Sequence, residues 1–162
     1  MKTTEFKKVL IALDNNPTSQ KVSEQGYKLA KSMGAEVILL HVVTDTAINS
    51  TQEYSPILGL AGHMNLNQMQ LADVEELKQV GQHFMNSIKF NLNDSMLQTI
   101  IRLGPIADSI VTTAKKVNAN IVVVGSHSQR WLENILIGSV AEEVLRQSQI
   151  PIFIVPTNKL SS

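Results

Sequence analysis

The stretch best suited to chemistry is "GSHSQRWLENILIGS", residues 125–139, which follows the apolar run "IVVV" at 121–124. A Gly-Ser pair stands at each end. Glycine lets backbone approach a ligand closely and allows positive φ, so Gly125 can turn the chain sharply off a strand. At the far end, Gly138, Ser139 and Val140 open a helical pattern. The unpaired amides and positive dipole end of a helix start suit an anion. A phosphate-sized hollow between Ser128 and that helix start is one explanation of the spacing. Ser139-Val140-Ala141-Glu142 also fits S-x-x-E, a capping box in which Ser139 and Glu142 satisfy the helix's own amides. Taken alone, the capping box is the cheaper explanation.

Rival nucleotide signatures fail. "LDNNPTS" after the first apolar run has no G-x-G-x-x-G, and no G-x-x-x-x-G-K-[ST] occurs anywhere, which argues against Rossmann dinucleotide binding and a P-loop. "LDNN" lacks the Ser-Gly-Gly run of pyrophosphate-cleaving ATP enzymes, and Asp14 is followed by two asparagines where a receiver domain needs an acidic pair. His127 lies inside the stretch as a phosphate contact or general base, with no carboxylate in the sequence placed to orient it. His41 sits within an apolar run and reads as a core histidine with one hydrogen-bonded nitrogen. His63 and His83 are too scattered for a metal site. Trp131 and Leu132 fit a lid over a ligand or a patch against a surface. Arg130 and Lys159 read as solvated charges. Of the six methionines, Met85 falls on a core stripe, so core packing competes with a promiscuous binding surface.

Composition narrows the class. The 162 residues suit one domain over 1–162 with a single core, and 43% hydrophobic against 17% charged is a globular profile. Lys and Arg balance Asp and Glu at 14 each, so no basic field draws nucleic acid or an anionic membrane. The chain has no cysteine, which excludes thiolate chemistry, disulfides and Cys-ligated metal, and fits the cytoplasm. Lysines before "VLIAL" resemble a signal peptide, but the run is only five residues long and Asp14 follows at once. No stretch approaches a membrane span. The expectation is a soluble, intracellular protein.

The elements that must position these residues follow from periodicity. Apolar runs at 9–13, 37–43, 121–124 and 152–155, rich in β-branched residues and nearly unbroken by polar ones, read as strands buried on both faces. "MLQTIIRL" at 96–103 carries polar insertions that suit an edge strand. Apolar stripes predict helices over 17–33, 70–90, 105–117 and 139–148. In the first, Asn16-Pro17 reads as a cap followed by proline at the first helical position. In the last, the stripe is Val140, Val144 and Leu145, with Ala141 beside it. Strict alternation with helical crossovers predicts parallel strands in a three-layer α/β sandwich. The segment at about 44–70 is too long for a simple connection and reads as a flap, an insertion or a short packed helix. Ligands of such sheets bind beyond the carboxyl ends of the strands, where strand order reverses.

With "KKVLIALD", "AEVILLHVV", "LGPIADSIVTTAKKVNANIVVVGSHS" and "LIGSVAEEVLRQSQIPIFIVP" in view, the chain resembles the universal stress protein family, nucleotide-binding type. The family fingerprint is G-x2-G-x9-G-[ST], and the nine residues between Ser128 and Gly138 match it. The resemblance implies a five-stranded parallel sheet in the order 3-2-1-4-5 and a homodimer through the last strand, Pro151 to Pro156. It also implies ATP with Mg2+ or Mn2+, the ion held mainly by the phosphates, between the first and fourth strands. Carried over by position, Asp14 faces the ribose and adenine, the main chain around Val42 recognises the adenine edge, and Ala12 lines the base pocket. Gly125 lies by the ribose. Ser128, Gly138, Ser139 and Val140 hold the phosphates through backbone amides, with a further bond from the Ser139 hydroxyl, and His127 lies beside them.

Two departures stand out. Ser128 replaces the second fingerprint glycine, and at positive φ a serine is strained by about 1–2 kcal/mol. At negative φ it costs little, and its hydroxyl can donate to a phosphate. Gly104-Pro105 replaces the family's G-x-P, which is expected to shift a helix start by one residue without touching the ligand. The function expected is a dimeric ATP-binding stress-response regulator, at most a slow ATPase, because no P-loop lysine, arginine finger or base is identifiable. The alternative is a nucleotide-free dimeric adaptor of the same fold, whose protein partner the sequence does not name.

Overall fold

The computed structural model describes residues 6–44, 66–126 and 138–157. Among the described residues nine elements alternate: β1 (Lys8–Leu13), α1 (Ser19–Ser32), β2 (Glu36–Val43), α2 (Leu66–Asn91), β3 (Gln98–Leu103), α3 (Ile106–Lys116), β4 (Ile121–Gly125), α4 (Ser139–Gln147) and β5 (Ile152–Val155). All strand pairs are parallel, in the order β3-β2-β1-β4-β5. The α/β class, the strand order and the edge position of β3 agree with expectation.

Alternate residues of a strand point to opposite faces, and here both faces are apolar because each is covered. Val9, Ile11, Val37, Leu39 and Val123 pack with Val22 and Ala30 of α1 and Met85 and Ile88 of α2. Leu10, Ile38, Leu40, Val122 and Val124 pack on the other face with Ile110 and Ala114 of α3 and Ala141 and Val144 of α4. Helix α1 approaches the sheet at Gly26, where an added Cβ would meet Ile11 Cδ1 at 2.8 Å. Helix α2 does so at Gly81, 3.1 Å from the His41 ring on the same measure. His41 is a buried core histidine, as expected. Its Nδ1 donates to Leu13 O at 2.9 Å, and its ring meets Phe84 edge-on, centroids 5.2 Å apart.

Several boundaries differ from expectation. Asn16 does not cap a helix beginning at Pro17. It opens a turn in which Ser19 N donates to Asn16 O at 2.9 Å and Thr18 N donates to Asn16 Oδ1 at 3.1 Å, so α1 starts two residues later. Asparagine followed by proline suits the first two positions of such a turn. Helix α2 begins at Leu66, so 66–70 of the expected flap are helical, while 45–65 lie outside the described residues. Leu145 is 52% exposed, and the buried stripe of α4 is Ala141 and Val144.

Candidate functional site

The sheet opens where β1 meets β4. Their ladder pairs Val9↔Ile121, Leu10↔Val122 and Ile11↔Val123 and goes no further. Yet β1 stays paired with β2 as far as Leu13↔His41, and β4 with β5 as far as Gly125↔Val155. The carboxyl ends of β1 and β4 therefore part from each other while each is held from its outer side. This is the point at which strand order reverses, and Ala12, Asp14 and Gly125 stand there.

Ala12, Val42 and Val140, which are far apart in sequence, pack against one apolar cluster on the α3/α4 face. Asp14 is exposed at the end of β1, and its carbonyl accepts from Asn16 N at 2.8 Å. Val42 and Gly125 are half-buried. His127 and Ser128 lie outside the described residues, as do Arg130, Trp131 and Leu132.

The start of α4 overturns the capping box. The N-cap is Gly138, with φ −69° and ψ 159°, and it makes no side-chain cap bond. Ser139 is already the first helical residue, and the first intrahelical bond runs from Glu142 N to Gly138 O at 2.9 Å. The Glu142 carboxylate is turned the other way, to Arg146 Nη2 at 2.7 Å. A glycine cap has no side-chain oxygen to offer, so helix geometry leaves the amides of Ser139, Val140 and Ala141 without an acceptor inside the helix.

A second uncapped helix start lies beside it. Pro105 is the N-cap of α3 and makes no side-chain cap bond. A groove of ≈390 Å³ runs between the two starts, lined by Pro105, Ile106, Ala107 and Asp108 on one wall and Ser139, Val140, Glu143 and Gln147 on the other. Two helix dipoles bring their positive ends to it, while Asp108 and Glu143 contribute carboxylates. Gly104, at φ +131°, makes the turn that delivers Pro105, and its amide donates to Val43 O at 3.0 Å. Pro105 thus lines the same groove as Ser139 and Val140. Periodicity could not signal this, because Pro105 and Ser139 meet only through the packing of α3 on α4. Among the described residues, no three His, Asp or Glu side chains group closely enough to hold a metal ion.

Residues 5–156 match the model of the universal stress protein family. The chain is 31% identical over 154 residues to universal stress protein MJ0577 of Methanocaldococcus jannaschii, covering 93% of this chain and 94% of that protein. It is 29% identical over 152 residues to universal stress protein YxiE of Bacillus subtilis, covering 93% of this chain and 99% of that one. The solved structure of MJ0577 superposes with a TM-score of 0.70 at 27% identity, over 96% of this chain and 99% of that chain. A universal stress protein crystallised in complex with cAMP has the same fold, at a TM-score of 0.61 and 19% identity, over 96% of this chain and 100% of that chain. The chain belongs to the universal stress protein family.

Proposed function

We propose that this protein is an ATP-binding regulator of the stress response, dimeric and cytoplasmic, rather than an efficient enzyme. The observation that carries the reading is the parting of β1 from β4 beside a helix α4 whose first turn has no side-chain cap. The base and ribose sit at Ala12, Asp14, Val42 and Gly125. The phosphates lie against the amides of Ser139 and Val140, at Gly138, and along Ser128 and His127 of the excursion. Amides without an acceptor in their own helix fit a polyphosphate. The carboxylates of Asp108 and Glu143 oppose a bare polyphosphate, and a divalent Mg2+ or Mn2+ carried by the phosphates offsets that charge. The cAMP held by a relative of the same fold is itself an adenine nucleotide, the ligand class proposed here.

Dimerisation is proposed through β5, from Pro151 to Pro156. Among the described residues β5 is an edge strand, paired on one side by β4, and Phe153 is 39% exposed. An unpaired edge of this kind is a template for a second strand. The absence of cysteine suits a cytoplasmic setting. No helix among the described residues is long and apolar enough to cross a membrane.

Calorimetric titration of the purified protein with ATP and Mg2+ or Mn2+ tests the reading. Heat and a thermal shift at millimolar nucleotide are expected, and neither appearing would overturn it. Ser128, in place of a fingerprint glycine, favours the second reading, a nucleotide-free adaptor. Binding that appears only in Ser128→Gly would decide for that adaptor.

A further inference from the structure

His41 is the one polar residue in "VILLHVV", and it is 9% exposed. Leucine or valine would pack at such a position without a partner, whereas a buried imidazole needs one. Its partner is the carbonyl of Leu13, the last residue of β1, 2.9 Å from Nδ1. The two residues stand opposite each other at the end of the β1–β2 register. Helix α2 holds the ring in place through the edge-on contact with Phe84 and the close approach at Gly81. The bonded carbonyl shares a peptide unit with the Asp14 amide. That unit is planar and trans, so its C=O and N–H point in opposite directions. With Leu13 O turned to β2, Asp14 N–H is turned towards β4, into the gap left where the β1–β4 ladder stops at Ile11↔Val123. On its other flank, the Asp14 carbonyl accepts from Asn16 N at 2.8 Å. Asp14 is thus exposed yet held on both sides, and of the two bonds only that of His41 comes from a distant segment.

We infer that His41 is a positioning residue that aims Asp14 into the gap and so sets the preference of the site for a sugar that keeps its hydroxyls. The inference rests on the nucleotide reading above, which puts Asp14 at the ribose, and adds what determines sugar specificity there. A carboxylate accepts from a ribose hydroxyl only within a narrow range of distance and angle. A Leu13–Asp14 peptide free to rotate spreads Asp14 over orientations that miss it. The imidazole acts through the backbone and not by contact with the base. Its ring lies with Phe84 of α2, whereas Ala12, Val42 and Val140 pack on the α3/α4 face.

The test uses the full chain with His41→Leu, which keeps an apolar side chain and loses the donor, and His41→Asn, whose amide nitrogen takes the place of Nδ1. Calorimetry compares ATP with dideoxy-ATP, which lacks both ribose hydroxyls, each with Mg2+. Wild type should prefer ATP about tenfold, the scale of one hydrogen bond to a charged group. His41→Leu should lose that preference by weakening ATP alone, and His41→Asn should restore it. Asp14→Ala should lose it as well, and adding His41→Leu to Asp14→Ala should change it no further, since both act on one interaction. Without ligand, the residual dipolar coupling of Asp14 N–H reports the direction of that bond. It should change in His41→Leu and return in His41→Asn. Should His41→Leu not fold, His41→Gln replaces it, because that amide reaches the place of Nε2 and not of Nδ1. Equal weakening of both nucleotides, a wild type that binds both equally, or an unchanged coupling would each overturn the inference. A wild type that binds neither nucleotide counts against the nucleotide reading, and the coupling then decides whether His41 aims Asp14.

Discussion

Ser139 does not cap α4. It is the exposed first residue of α4, with Gly138 at the cap and Glu142 committed to Arg146. Ser139→Ala should therefore leave the stability of the ligand-free protein within about 0.5 kcal/mol, where loss of a true cap costs about 1 kcal/mol. The same change should weaken ATP binding by roughly two- to tenfold, the worth of one hydroxyl bond. Chemical denaturation and calorimetry on one preparation check both halves. Gly26 makes the corresponding structural case. An added Cβ there meets Ile11 Cδ1 at 2.8 Å and Val123 Cγ1 at 3.1 Å, both in the packed face of the sheet. Gly26→Ala should cost about 1–3 kcal/mol by overpacking. Paired with Ile11→Val, which removes Cδ1, the combined loss should be smaller than the sum, because the two sites are in contact. Urea titration of the two single variants and the double closes that cycle.

Elements act here through their ends and edges. β5 is a four-residue edge strand among the described residues, and Phe153 stands exposed within it. Phe153→Lys places a charge on that edge, the device natural sheets use against pairing. It should convert the proposed dimer to monomer in sedimentation velocity while leaving the far-ultraviolet circular dichroism unchanged. Helix α1 is tied at its other end. Tyr27 donates to Asp94 Oδ2 at 2.9 Å in the turn after α2, and Lys31 lies 3.8 Å from the same carboxylate and 5.0 Å from the Tyr27 ring. Tyr27→Phe keeps the ring and removes the bond, so a loss of about 0.5–1.5 kcal/mol is expected in urea.

For the molecule as a whole, ligand binding is linked to unfolding. Nucleotide held only by the native state at one hundred times its dissociation constant adds about 2.7 kcal/mol. For a domain of this size that corresponds to a rise of roughly 5–10 °C in Tm. Differential scanning fluorimetry with ATP and Mg2+ measures it, and the Gly138→Val variant should lose most of the rise while still folding.

Much of this architecture was legible in short windows of sequence. β-branched runs such as "VILLHVV" are buried on both faces, and stripes such as Val22, Gly26 and Ala30 face the sheet, because periodicity records burial locally. Polar Gln98, Thr99 and Arg102 marked β3 as an edge for the same reason. Boundaries were less legible. Asn16-Pro17 suits a cap and a turn equally well, and S-x-x-E suits two helix starts one residue apart, so only backbone conformation could choose between them. The early start of α2 lay inside a segment whose composition read as loop. Pattern alone required parallel strands, and likeness to a family supplied their order. What tertiary structure alone decided were contacts between distant segments: where the β1–β4 ladder stops, which helix start lies against α4, and the bond from Thr157 to Ser126. Periodicity describes each element against an unspecified core. It cannot say which neighbour will occupy that core, because the choice depends on every other element at once.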